Sequence, residues 1–205
     1  MNRKIGMISS LVNVVSVVGF AIFMLVDFSF GNYFICMFIA FSFVPMVASF
    51  VADCSKAKKV AGYSAMIFSG VYATFILAVY FAQVTSVVND NLSEETLKIL
   101  DFEKFGLMFN YDLLGYALMA LATFFVGLTV DVNNKASKWL KNLLLIHGVF
   151  FISCLIMPML GLFNSDKPTE PWVGILILEF WCAYFIPIGI LSFLHFKNKE
   201  VLNAS

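Results

Sequence analysis

The chain has 205 residues, of which 61% are hydrophobic and 13% charged, and its 13 basic and 13 acidic groups cancel. A soluble domain is about 45–50% apolar and about 25% charged, so one core of this size would leave too much apolar surface in water, whereas a bilayer replaces water as the solvent of the outer face. Zero net charge and the lack of a basic motif exclude nucleic acid as a partner.

Arg3 and Lys4 open the sequence and are followed by an apolar run from Ile5 to Val26. That run is too long for a signal-peptide core, and no A-x-A-like site follows it, so it reads as a retained first helix. A crossing helix needs about 20 mainly apolar residues. Six segments qualify, at about 7–27, 33–52, 60–84, 108–130, 141–162 and 172–196. Each is expected to be helical, because unpaired backbone groups are too costly in hydrocarbon. The fold class read from this pattern is an all-α polytopic membrane protein. It is a single bundle of six transmembrane helices covering 1–205.

Lysine placement orients the bundle. Arg3, Lys4, Lys56, Lys58, Lys59, Lys135, Lys138, Lys141, Lys197 and Lys199 fall on one side, against Lys98, Lys104 and Lys167 on the other. The positive-inside rule makes the first side, with both termini, cytoplasmic. Trp139 and Trp172 fit interfacial belts at opposite ends. One arginine against many lysines, with abundant Phe, Ile and Asn, suggests an AT-rich bacterial genome and hence a bacterial plasma membrane.

Between spans three and four, the outer loop 85–107 is long for a compact protein. Ser93-Glu94-Glu95 is a helix start with acids in its first turn. The apolar residues after it spread around the helix, which favours a short interfacial helix over a lid on an outward-facing cavity. In span three, Ala61, Ala65, Ser69 and Ala73 recur every four residues, beside a row with Gly62, Gly70, Thr74 and Ala78. Such rows allow close helix approach in lipid and place span three centrally. Pro45, Pro158 and Pro187 each remove a backbone donor inside a span.

Glu179 is the most informative single residue. It lies about 10 Å below the outer surface, among Leu178, Phe180 and Trp181. A carboxyl there is expensive and faces a bundle interior or a cavity, as a site for a proton, cation or amine or as a hydrogen-bonded structural group. Asp112 comes at a similar depth if span four begins near Leu107 or Met108; it pairs with Glu179 if spans four and six touch, or else caps span four. Trp181, Tyr184 and Tyr80 are expected to line the walls of such a site. Nearer the other surface, His147 in span five and Asn13 in span one match in depth and are expected to pair.

No metalloprotease, serine-hydrolase, nucleotide-binding or ion-filter motif occurs. Cys36, Cys54, Cys154 and Cys182 form no C-x-x-C and read as packing residues. No catalytic residue, cofactor or metal is assigned. The first reading is a carrier or binding protein for a small cationic or amine ligand, with an outward-facing acidic site; six spans then imply a homodimer or a partner subunit. The alternative is a non-catalytic membrane partner or regulatory subunit. The third is an intramembrane enzyme acting on lipid, with Glu179 and Asp112 as acid and base.

Overall fold

The structure is a computed structural model that describes residues 1–89, 91–163 and 171–202. The described residues are helical throughout their ordered elements, without a strand. Six helical spans are long and apolar enough to cross a membrane. They are built from α1 (Asn2–Leu25), α2 (Ser29–Asp53), α3 (Lys59–Ala82), α5 (Leu107–Thr129), the pair α6 (Lys135–His147) and α7 (Phe150–Met159), and α8 (Pro171–Leu202). A short helix, α4 (Glu94–Leu100), lies in the long connection between α3 and α5. Of the connection between α7 and α8, residues 164–170, with Lys167 among them, lie outside the described residues.

Chain neighbours pack side by side. α1 packs on α2, α2 on α3, α3 on α5 and α5 on α6 and α7, while α8 returns to lie between α1 and α6. Small residues permit these approaches. A Cβ on Gly189 would come within 2.5 Å of Val14, and one on Gly115 within 2.9 Å of Ile76. In α3, Ala65, Ser69 and Ala73 face inward, as their spacing predicts. The parallel row divides: Gly62 is buried against Val51, whereas Gly70, with open space beside it, and Thr74 and Ala78 are exposed. α2 and α5, not α3, bury the largest share of their apolar windows.

The fifth span is not the single helix expected at 141–162. α6 ends at His147, and α7 starts at Phe150. At the joint the amides of Gly148 and Val149 bond three residues back, to Leu145 and Ile146, which tightens the backbone into a turn. Gly148 is needed there because a Cβ would meet Phe124 and the Leu145 carbonyl at about 3 Å.

The ring of helices therefore packs differently at its two ends. At the lysine-rich end, α6 and α8 pack together and complete it. Towards the α4 end, α7 packs extensively only on α5 and has no buried residue. α8 likewise has no buried residue before Trp181; from there Trp181, Cys182, Phe185, Ile188, Gly189, Ser192 and Phe196 form its packed stripe.

Candidate functional site

Asp112 is the sixth residue of α5. At 1.5 Å per residue it lies about 8 Å below the helix start. Gly106 precedes α5 without a side-chain cap, and Asp112 is too far along to act as one. It is only 5% exposed, and its Oδ1 has no hydrogen-bond partner among the described residues. Around it stand Tyr80 from α3, whose hydroxyl faces the carboxyl, and Cys36 from α2, whose thiol is near both Tyr80 and Tyr116. Tyr116 follows Asp112 by one turn, so the two share a face. Tyr72, eight residues before Tyr80, is fully buried, and its hydroxyl too is unpartnered among the described residues.

This cluster is roofed. After Ala82 the backbone widens into a π turn over Gln83–Val87, and Gln83 is buried beneath the loop. Its Nε2 donates to the Leu100 carbonyl at 2.8 Å, and its Oε1 accepts from the Phe102 amide at 3.0 Å. Phe102 then lies against Tyr80 and Tyr33, with ring centroids 6.0 and 5.9 Å away, and against Phe109 at 5.1 Å. The Tyr33 hydroxyl donates to Glu103 at 3.2 Å. The loop folds back so closely on the start of α5 that a Cβ on Gly106 would fall 2.0 Å from the Lys98 carbonyl. The segment from Glu94 to Phe105, called the lid below, is thus a short helix and turn docked on the bundle with no buried residue in α4 itself, in keeping with a short helix that touches both protein and membrane interface. The scatter has a physical cause: one side of the lid meets the bundle while others stay exposed.

Glu179 stands apart from this cluster. It is half-buried on α8, two residues before the packed stripe begins. Its Oε1 is shielded and lacks a hydrogen-bond partner among the described residues. No hydrogen bond joins Glu179 to Asp112, and α8 packs on α1 and α6 where the expected pair needed it against α5. Cys182, one turn further along α8, is within electrostatic reach of both Glu179 and Cys36.

Deeper in the bundle, His147 has 1% exposure. Trp181 Nε1 donates to its Nε2 at 3.1 Å, and its Nδ1 lies 2.8 Å from Thr123 Oγ1, which donates onward to the Ala120 carbonyl. Indole N–H can only donate, so Nε2 is the acceptor and the ring proton sits on Nδ1. Tyr184 stacks on the same imidazole at 5.9 Å and donates to the Leu143 carbonyl at 2.8 Å. The expected His147–Asn13 pair is not formed. Asn13 donates across α1–α2 to Ser42 Oγ and the Ile39 carbonyl instead. Depth matched, but α1 packs on α2 and α8 whereas α6 packs on α5 and α8, so the two side chains have no shared interface.

The sequence-predicted residues thus divide in four. Tyr80 joins Asp112; Trp181 and Tyr184 join His147; Asn13 joins Ser42 between α1 and α2; Glu179 stands apart, half-buried on α8. Tyr116 links the first two groups, its ring meeting Trp181 edge-on at 5.4 Å. Tyr72, Tyr116, Cys36, Gln83 and Thr123 were not singled out from sequence. The four-residue spacing of Asp112 and Tyr116, and the eight-residue spacing of Tyr72 and Tyr80, were available signals.

Two clefts lie at the other end of the bundle. One of about 70 Å³ is lined by Asp131, Asn134, Ser137, Leu191, His195 and Asn198. Beside it Arg3 pairs with Asp53 at 3.5 Å, and Lys58 pairs closely with Asp131. The described residues contain no group of His, Cys, Asp and Glu arranged to hold a metal ion. No known family model, curated protein or solved structure matches the chain, so its chemistry has to be argued from these side chains.

Proposed function

We propose that this protein is a binding protein or carrier for a small cation or amine, with Asp112 as the charged anchor and Tyr72, Tyr80 and Tyr116 as the walls. The observation that carries this reading is a carboxyl 5% exposed inside an apolar span, one oxygen without a partner among the described residues. Ionisable groups at such depth are costly and mark ligand or ion pathways. Tyrosine rings around a carboxylate suit a positive charge, which gains from both the anion and the ring faces. The lid between Glu94 and Phe105 is the gate on the aqueous side, held shut by Gln83. The lysine-rich end, with both termini, lies in the cytoplasm of a bacterial plasma membrane, following the positive-inside rule.

Binding of tetramethylammonium, which is permanently charged and does not leak across bilayers, tests the reading in protein reconstituted into nanodiscs. Asp112→Asn removes the charge at nearly constant shape. A lost charge-assisted contact is worth about 1.5–3 kcal/mol, so affinity falls at least about tenfold. Equal binding by a monodisperse Asp112→Asn protein refutes the anchor role.

A further inference from the structure

At the α4 end of the bundle, one side is covered by the lid, and the other is flanked by helix surfaces that bury no described residue. On the lid side, Phe102 fills the space among Tyr33, Tyr80 and Phe109, and Gln83 holds the lid down with two hydrogen bonds. On the other side, α7 has no buried residue, and α8 has none before Trp181. Among the described residues α7 packs extensively only on α5, and it meets α8 through Phe150 and Tyr184, whose ring centroids are 5.9 Å apart.

Polar groups lead inward from this side. Glu179 lies about 12 Å along α8 from Pro171, with an oxygen that has no partner among the described residues. Next comes Cys182, within electrostatic reach of Glu179 and also of Cys36 and Tyr116. On the opposite wall Cys154 of α7 is half-buried and within reach of Asp112. Tyr116 is half-buried and is the cluster's contact with α8, its ring meeting Trp181 edge-on at 5.4 Å.

We infer that the ligand of the Asp112 site is an amphiphilic cation that enters sideways from the membrane, between α7 and α8, and meets Glu179 first. This rests on the reading of Asp112 as a cation anchor and adds the route and the ligand class. An amphiphilic cation already orients with its head near the interface and its chain in hydrocarbon. A carboxyl on the wall of a lipid-facing crevice supplies a counter-charge to that head below the interface, where an ion otherwise has none. The head then passes Cys182 and Tyr116 to Asp112, while the alkyl chain stays among apolar side chains such as Ile156, Leu176 and Phe180, all exposed on this side. The turn at Gly148 is the point on which α7 moves to admit it, because the i→i−4 ladder is already interrupted there. A wholly hydrophilic cation lacks this route and depends on the lid.

The experiment compares dodecyltrimethylammonium with tetramethylammonium in nanodiscs, subtracting partition into protein-free discs. The proteins are wild type, Glu179→Gln and Asp112→Asn. The amphiphile is expected to bind at least tenfold more tightly. Glu179→Gln should weaken it at least fivefold, with a clearly smaller effect on tetramethylammonium, and Asp112→Asn should weaken the binding of both at least about tenfold. A photoreactive alkylammonium should label α7 or α8 residues. If tetramethylammonium binding depends on Asp112 but the amphiphile has no advantage and Glu179→Gln changes nothing, the lateral route is wrong and the anchor stands. If neither cation binds, or Asp112→Asn binds both normally, the anchor reading falls and the route with it. A stoichiometric partner helix cross-linking at the α7–α8 crevice in place of the probe also overturns the route.

Discussion

A histidine inside an apolar bundle must place both ring nitrogens, and His147 does so through a one-directional chain. Trp181 donates to Nε2, Nδ1 donates to Thr123, and Thr123 donates to the Ala120 carbonyl. Every member has a partner of the right polarity, so the chain ties α8, α6 and α5 together at mid-depth. Asp112 is the opposite case, a buried carboxyl with one oxygen left over. The contrast separates a structural polar group from a candidate binding group, a distinction depth alone does not make. Thr123→Val keeps shape and removes the acceptor of the histidine N–H. Its expected cost is about 1–2 kcal/mol, the upper range for polar contacts within membranes. Unfolding by detergent titration measures it; an unchanged midpoint would show that the chain contributes nothing.

At the scale of elements, the lid is the segment whose behaviour depends most on one side chain. α4 has only seven residues and no buried residue, and a helix that short is marginal without packing. Its start is capped by Ser93, which accepts from the Thr96 amide. Its far end is held by Gln83, whose two bonds reach residues 17 and 19 positions away. Gln83→Leu preserves bulk and removes both bonds, each worth about 1 kcal/mol. Amide exchange at Phe102 and its neighbours should then accelerate at least about tenfold, while exchange in α2 and α5 is unchanged. Unaltered exchange at Phe102 would mean that the aromatic contacts alone hold the lid. The broken fifth span is the second element-level feature. Its two halves pack differently: α6 meets both α5 and α8 and carries His147, whereas α7 packs extensively only on α5.

For the whole molecule, the two ends have distinct characters. One is stitched by Arg3–Asp53 and Lys58–Asp131 and carries the described lysine clusters. The other carries the acidic lid. Surface ion pairs contribute little stability, so these pairs matter chiefly as the charged boundary of the bundle. The proposed orientation predicts that an impermeant maleimide applied to intact cells labels Glu95→Cys in the lid but not Asn133→Cys, which reacts only after permeabilisation. Background from Cys54 and Cys154, both half-buried, is read from the parent protein. The reverse pattern would invert the molecule and expose the lid to the cytoplasm.

The number of spans, their helical nature and their approximate positions were legible in the sequence, because hydrocarbon forces a long apolar stretch to satisfy its own backbone as a helix. Glu179 and Asp112 stood out in the sequence as candidates, since a carboxyl in an apolar run is conspicuous wherever it points. Which helices touch was decided only by the tertiary structure. Depth along a helix is a local property that can be counted in residues, whereas the face a residue shows to a neighbour depends on how the bundle closes. That is why Asn13 and His147 matched in depth without meeting, and why Asp112 lies with Tyr80, Tyr116 and Cys36 and not in a pair with Glu179. The lid belongs to the same class: Gln83 reads as an ordinary polar residue at the end of a span, and only the fold of the chain 17 residues later turns it into a latch.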